Sequence, residues 1–553
     1  MPDANAALRF HPSAIKGEGG RLMGMHAANE GFATAFARHA AAERFYCLVE
    51  ERAHAEAFAR LVRGQRPDAA VQAIDCRDVR ALAQPGCAFF LDPQIARLLW
   101  QRRWVGARAF SVCGLTHTIA SQGVMRALGD LLLAPCERWD ALVCTSHAVR
   151  RAVETQFDAL AAHLRARFGA TRDVRPRLEV IPLGVDCERL APDPAARARW
   201  RQRLDIGEDE VAALFVGRLS FHAKANPFPL YVALERAARA TGRRVHLVQA
   251  GWFANPAIET AFREGARDHA PSVHAHFLDG REEAVRRGIW SAGDLFVSLA
   301  DNVQETFGLA PVEAMAAGLP AVVSDWDGYK DTVREGIDGF RVPTAMAPPG
   351  AGAALAERLA AGIDSYDRFI GAASQAVAVD IDAAALALER LIGDAALRRR
   401  FAAAARRRAV ESFDWRVVVR RHQALWDDLA RERRAAAAGA PPPDAVINPW
   451  LMDPFHMFQN YASAPLSAAH RLAVVPRARE RVAAMRRGGL AGHCGDTLPS
   501  AEELAAMADA LAREPAATVA TALAVLPEER RDAAWRGVLW LAKYGIARLL
   551  PPG

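Results

Sequence analysis

Several absences narrow the field before any motif is read in this chain of 553 residues. Its eight cysteines, Cys47, Cys76, Cys87, Cys113, Cys136, Cys144, Cys187 and Cys494, never form a Cys-x-x-Cys pair, so neither a structural zinc site nor a disulfide framework is expected. No run of about 18 uncharged apolar residues occurs, which excludes an ordinary membrane-spanning helix. Met1 to Phe10 shows no basic patch followed by an apolar run. No secretory signal is therefore expected, and a reducing cytoplasm is the default compartment. Nothing repeats at a fixed period of about 20–50 residues, which argues against a solenoid. Charge of one sign is scarce too: 70 Lys and Arg against 64 Asp and Glu leave only +6. So small an excess does not point to nucleic acid, although it is compatible with phosphate-bearing ligands or an acidic membrane surface.

What is present is enough to build cores. Apolar residues make up 51% and charged residues 24%, values of a soluble globular chain rather than a disordered one. At ~150 residues per domain the length corresponds to roughly three to four domains. Short apolar runs alternate with Ala/Arg/Glu-rich stretches at helical spacing: Cys87–Leu91, Ala109–Cys113, Ala141–Thr145, Leu178–Pro182, Ala212–Val216, Val245–Gln249, Asp294–Leu299 and Pro320–Ser324. Strands of this length alternating with longer helices predict parallel α/β sheets covered on both faces. The pattern breaks at Pro182 to Pro194 and again at Arg434–Ala445, where an alanine run meets Gly439 and Pro441-Pro442-Pro443. The second break reads as a linker, because prolines cannot continue the helix. Beyond it the chain reads as helical, with a capping signal at Ser500-Ala-Glu-Glu503. The expected layout is an N-terminal lobe (1–185), a C-terminal lobe (186–433), a linker (434–445) and a helical appendix (446–553).

The most informative segment runs from Asp301 to Pro320, D-N-V-Q-E-T-F-G-L-A-P-V-E-A-M-A-A-G-L-P, between two of the predicted strands. A loop holding Gly308 that leads into a helix near Pro311 offers free backbone N–H groups and a helix dipole to an anion. Glu305 and Glu313, with seven residues between them, suit sugar hydroxyls better than the anion itself. The alternative is a helix start stabilised by its dipole.

This segment closely resembles the donor-binding signature of retaining glycosyltransferases of family 4, which have the GT-B fold of two Rossmann-like lobes around a cleft. Val216-Gly-Arg-Leu-Ser220 followed by Lys224 resembles the strand and loop that bring an Arg and a Lys to the donor diphosphate. Asp140–Ser146 resembles the last strand of the N-terminal lobe, and Leu178–Asp186 the segment entering the C-terminal lobe. Val322–Asp325, Gly339–Val342 and Phe413-Asp-Trp415 resemble later family elements. The likeness covers roughly residues 109–430 well, residues 1–108 loosely, and the appendix not at all.

The resemblance implies roles for individual residues. Glu305 would orient sugar hydroxyls and Glu313 would hold the ribose. Thr306, Phe307, Gly308 and Leu309 would line the donor, the last three through backbone groups. Arg218 and Lys224, beside Gly217, would stabilise the diphosphate; fixed cations are most effective where charge develops as the bond breaks. Gly19 and Gly20 in Gly17-Glu-Gly-Gly20 would be the glycine loop approaching the phosphates from the other lobe, although no clear strand precedes them in His11–Lys16. His117 would stand near the transferred sugar, and the backbone around Phe277 and Leu278 would hold the edge of the base. His222 is a further candidate for donor or acceptor, Asp301-Asn302 reads as a turn, and His493-Cys494 reads as a loop rather than a metal site.

The implied activity is a hexosyltransferase of the retaining type that uses a nucleotide-diphosphate sugar, a UDP- or GDP-sugar, with no metal and no other cofactor. The acceptor, a glycan, a lipid-linked molecule or a protein, would bind chiefly the N-terminal lobe. Peripheral contact with the inner face of a membrane and self-association are compatible with this reading. Two other readings keep the scaffold: a sugar-nucleotide epimerase or hydrolase, and a non-catalytic nucleotide-sugar-binding scaffold acting through its appendix. In the appendix, Trp535–Leu550 has apolar residues at helical spacing. It is expected to be either a terminal helix packed on its own small domain or an interfacial membrane helix.

Overall fold

The buried runs of Ala, Val, Leu and Phe form two parallel sheets in the computed structural model, which describes residues 5–15, 24–436, 448–463, 465–514 and 516–550. The first sheet contains β1 (Ala7–Arg9), β2 (Arg44–Val49), β3 (Ala70–Asp75), β4 (Cys87–Phe89), β5 (Ser111–Leu115), β6 (Ala141–Cys144) and β7 (Arg177–Val180), in the order β3-β2-β1-β4-β5-β6-β7. The second contains β8 (Val211–Val216), β9 (Val245–Gly251), β10 (Val273–Asp279), β11 (Leu295–Ser298), β12 (Ala321–Ser324) and β13 (Gly339–Val342), in the order β10-β9-β8-β11-β12-β13. Both are doubly wound: the strand order reverses once, between β1 and β4 and between β8 and β11. Two such lobes in one unit are the expected GT-B arrangement. In sheets of this kind ligands bind outside the carboxyl ends of the strands, at the reversal. β9 is buried along its whole length and β8 along all but its last residue, as strands covered on both faces must be.

The eight predicted strands all form. The three that open the chain are less legible. β1 is only Ala-Leu-Arg, and His11–Lys16, which lacks a strand pattern, begins with a 3-10 turn at Pro12–Ala14, just beyond that strand. β6 is not the last strand of its sheet, because β7 pairs with it in register from Ala141↔Arg177 to Cys144↔Val180. The glycine loop with Gly19 and Gly20 lies outside the described residues.

The lobes are joined twice at one point. Val185 N–H donates to Phe413 O at 2.9 Å and Trp415 N–H donates to Val185 O at 3.1 Å, so the outgoing and returning strands of chain lie side by side. The helix Trp415–Ala435, expected with the C-terminal lobe, returns to the N-terminal one. Its Trp426 ring lies 5.7 Å from Phe36 and 5.4 Å from Phe89, and its His422 lies 4.9 Å from Phe32. Its amphipathic face is completed by N-terminal aromatics, which is a tertiary choice that periodicity does not reveal. It also extends through Ala435, past the expected start of the linker at 434.

The chain divides into two compact units, Met1–Asn448 and Pro449–Gly553. The second unit has its own core, built around Leu504, Met507, Val538 and Leu541. It is helical apart from an antiparallel pair, β16 (Arg471–Val474) with β17 (Ala547–Leu550), numbered after the short pair β14 (Thr344–Met346) and β15 (Val377–Val379) of the first unit. The expected helix over Trp535–Leu550 is thus a shorter one, Arg531–Lys543, followed by a turn and β17. Trp540 is buried and donates to Ala491 O at 3.0 Å, so this helix packs on its own unit. No described helix is long and apolar enough to cross a membrane.

Candidate active site

The strands flanking the reversal in the second sheet are β8 and β11, and the candidate residues leave from their carboxyl ends. β8 ends at Val216, and Gly217 and Arg218 follow at once; β11 ends at Ser298, and the loop to Gly308 follows. Leu278 sits two strands away on β10, opposite Ala250 of β9. The helix Leu309–Ala316 starts directly after Gly308, two residues earlier than Pro311 suggested.

Lys224 and Glu305 meet in an ion pair between these two loops. Glu305 uses its other oxygen, Oε1, to accept from the backbone N–H groups of Thr306 (3.2 Å) and Gly308 (3.1 Å). The N–H groups expected to greet a ligand are therefore partly engaged by the loop's own carboxylate, which fixes where Glu305 points. Burial pushes the Glu305 carboxyl up, but Lys224 and the backbone donors outweigh it and hold it below its ordinary range. Burial likewise works against the charge on Lys224, and Glu305 more than restores it. Both side chains remain charged in a nearly dry place, an arrangement that is costly unless each charge is matched.

Arg218 is half-buried and donates to Ala223 O at 3.0 Å and to Gln304 Oε1 at 2.7 Å. Burial lowers its pKa, and Asp367, Tyr366 and Glu305 oppose that effect. Glu313 is half-buried, and its carboxylate has no hydrogen-bond partner among the described residues. Burial pushes its carboxyl up while Arg189 draws it down. The Phe307 ring is core, 6.1 Å from Phe413, so only its backbone faces the loop.

A second turn, which the signature does not include, holds the loop in place. Gly308 has φ +86°, and a Cβ there would overlap the Tyr329 ring. A Cβ on Gly328 would overlap the Phe307 backbone. Both glycines are dictated by this close approach. Between them Asp327 adopts a left-handed φ of +35°, and its Oδ2 is buried without a partner. Burial and the neighbouring Glu305 push its carboxyl well up. The Asp-Gly dipeptide at 327–328 is the available signal for such a turn. Asp301, expected in a turn, is buried and accepts from Asn226 N–H at 3.3 Å, and burial pushes its carboxyl up to about 7.

From the other lobe, Ser146 caps the helix His147–Phe168 and donates through Oγ to Thr306 O at 2.7 Å. His117 is buried two residues beyond β5, with Nε2 at 2.8 Å from Asn29 Oδ1. Burial lowers its pKa to about 4, so at neutral pH it is an uncharged, hydrogen-bonded imidazole. His222 is tied to Ser220 at 3.2 Å, and His493 belongs to the second unit. No group of three or more His, Cys, Asp or Glu among the described residues could hold a metal ion. Two concavities of about 460 and 400 Å³ are lined by other residues, the first by Arg189, Trp200 and Arg287 among others, the second by Arg9, Asp92 and Gln101 among others.

Residues 196–376 match the family described as Glycosyl transferases group 1. A D-inositol 3-phosphate glycosyltransferase of Nocardia farcinica is 32% identical over 196 residues, 34% of this chain and 42% of that protein. A GDP-mannose-dependent alpha-(1-6)-phosphatidylinositol monomannoside mannosyltransferase of Mycobacterium tuberculosis is 28% identical over 188 residues, 33% of this chain and 47% of that protein. The chain thus spans less than half the length of these two relatives. Among solved structures, Anabaena HepE in complex with UDP aligns with a TM-score of 0.47 and 17% identity, over 77% of this chain and 99% of that one. A D-inositol 3-phosphate glycosyltransferase of Xylanimonas cellulosilytica is 31% identical over 300 residues, 46% of this chain and 68% of that protein. With a match of that extent, and with the profile falling on the lobe that carries Arg218, Lys224 and Glu305, the chain belongs to the group 1 glycosyl transferases.

Proposed function

We propose that this protein is a retaining hexosyltransferase that uses a nucleotide-diphosphate sugar. The observation that carries the reading is the desolvated Lys224–Glu305 pair beside Arg218, on the two loops that leave the sheet reversal. In the reaction the bond from the sugar C1 to the diphosphate oxygen breaks and a bond from C1 to an acceptor hydroxyl oxygen forms on the same face. The acceptor proton passes to the leaving phosphate oxygen. Arg218 and Lys224 stabilise the charge growing on that oxygen, in a site already fixed before reaction. Glu305 and Glu313 accept hydrogen bonds from sugar and ribose hydroxyls, and the unpartnered Glu313 carboxylate has capacity for this. The backbone at Leu278 holds the base edge, His117 stands at the sugar from the N-terminal lobe, and no metal is required.

The relative named for GDP-mannose favours a GDP-hexose donor, with a UDP-hexose as the alternative, and the inositol phosphate and phosphatidylinositol in the relatives' names favour a polyol or lipid-linked acceptor, with glycan and protein acceptors as the wider class. Thermal-shift screening against UDP-glucose, UDP-N-acetylglucosamine and GDP-mannose tests the donor, since a specific ligand raises the melting temperature by mass action. Acceptor-dependent release of UDP or GDP, with a product that keeps the donor's anomeric configuration by proton NMR, is the expected outcome. Release at full rate without any acceptor would favour a hydrolase, and an inverted product would reject the retaining assignment.

A further inference from the structure

Between β13 and the helix Ile381–Gly393 the chain makes an excursion away from the second sheet. Its base is closed by the antiparallel pair β14–β15, with Thr344↔Val379 and Met346↔Val377 as outer partners. It carries two helices, Ala353–Ala360 and Tyr366–Ser374. The second is anchored by its own chemistry. Ser365 caps it, and the buried Asp364 just before it accepts from Arg358 at 2.8 Å and from Arg368 at 3.2 Å.

This helix does not lie on the outside of its lobe. Ile370, fully buried, packs in one cluster with Ala223 from the loop after β8 and Ala120 from the N-terminal lobe. A Cβ on Gly371 would stand 3.1 Å from the Cβ of His222, so the helix rests directly on the loop between Arg218 and Lys224. Its first residue, Tyr366, reaches the other lobe: the hydroxyl is 3.4 Å from Thr118 Oγ1, beside His117. Arg218 donates to Ala223 O, on the residue against which Ile370 packs, and to Gln304 Oε1. The helix that Tyr366 opens therefore backs one of the two acceptors that hold the guanidinium.

We propose that Tyr366 is a positioning residue for Arg218: the helix it opens backs Ala223, whose carbonyl accepts from the guanidinium meant for a diphosphate, and through Thr118 it ties that placement to the N-terminal lobe. The inference rests on the nucleotide-sugar reading for its ligand but not for its bridge. Among the described residues Arg218 has no carboxylate partner within ion-pair distance, so its direction depends on neutral acceptors. Loosening the helix behind Ala223 frees a long, flexible side chain, and the cost appears when an anion has to be met.

The test uses the full chain and two readouts. Tyr366→Phe removes only the hydroxyl, and Thr118→Val removes its partner in the other lobe. In calorimetric titration with UDP and GDP, each substitution is expected to weaken binding of whichever nucleotide the wild type binds, by about three- to tenfold. In an Arg218→Ala background Tyr366→Phe should cost nothing further, because the residue acts through Arg218. A merely structural contribution would persist in that background. In the ligand-free protein, amide hydrogen exchange should quicken in 116–121 and 366–374 of the Tyr366→Phe variant. Unchanged affinity, or a loss that persists without Arg218, overturns the positioning role; unchanged exchange overturns the bridge. If the wild type binds neither nucleotide, it is the nucleotide-sugar reading that fails, and exchange alone then decides the bridge.

Discussion

Each lobe contains a desolvated cation–carboxylate pair, and the two pairs differ in what is left over. In the N-terminal lobe Arg102 grips Asp140 with two nitrogens, one of them at 2.7 Å from Oδ2. The side chains are 1% and 0% exposed. Asp140 also accepts from the N–H groups of Val112 (2.9 Å) and Glu137 (2.8 Å), and Arg102 donates to Phe110 O (3.0 Å). Nearly every donor and acceptor is used, so the pair joins β5 to the segment before β6 and offers nothing to a ligand. In the C-terminal lobe Lys224 and Glu305 are 20% and 13% exposed, and one ammonium faces one oxygen. An ammonium has three donors, so Lys224 keeps capacity for a second anion. The same kind of pair is a staple in one lobe and a binding device in the other, and the difference lies in saturation rather than in charge.

The contrast is largest at Asp140. Asp140→Ala leaves Arg102 charged and unmatched in a sealed place, and should cost about 3–5 kcal/mol of stability, read by urea or thermal unfolding. Lys224→Ala should do the reverse: about 2.7–4 kcal/mol lost from turnover, a fall of about 10²–10³. Its stability loss should be recovered in the double variant Lys224→Ala/Glu305→Gln, which removes the orphaned charge, while turnover stays low. Recovery of turnover in that double variant would show that the cation is not aimed at the diphosphate.

A third expectation concerns buried histidines. Burial lowers the pKa of His117 and of His422 to about 4 in the folded protein. The unfolded chain takes up these protons near pH 6.5, the folded chain only near pH 4, so acidification across that window favours unfolding. The stability is complete above pH 6.5 and is lost toward pH 4, each histidine contributing a loss of about 1.4 kcal/mol per pH unit crossed. His422 Nε2 is buried without a partner, so His422→Phe should hold its stability at pH 7 and flatten the fall in melting temperature between pH 6.5 and 4. An unchanged slope would reject the assignment. The smallest effect belongs to an exposed pair. Arg77 and Asp75 are 81% and 41% exposed, and Arg77→Ala should leave the melting temperature where it was.

How much is legible in the chain follows from how local each feature is. Glu305, Gly308 and Glu313 lie within one loop and two helical turns, so their mutual placement follows from backbone geometry that the intervening residues already specify. Arg218 and Lys224 are legible because they follow a buried strand whose end can be read. Gln304 sits in the same loop as Glu305, but a glutamine carries no charge to mark it. Tyr366 gives no signal at all: its partner Thr118 is 248 residues away. Nor does the helix Trp415–Ala435 announce that its apolar face meets Phe36 and Phe89 rather than its own lobe.

Hydrophobic period, capping and glycine conformation act over a few residues. The strands, the helix starts and the chemistry carried by the loop from Asp301 to Gly308 are therefore written in the order of amino acids alone. Which charges are dry is not. Burial is a property of everything packed around a group, and it makes Asp140 a staple, Asp301 a carboxyl raised to about 7, and His117 a neutral imidazole. The contacts that tie Tyr366 to Thr118 and set Ile370 behind Ala223, an acceptor of Arg218, likewise exist only in the folded molecule, since contacts between residues hundreds of positions apart are set by how whole layers pack.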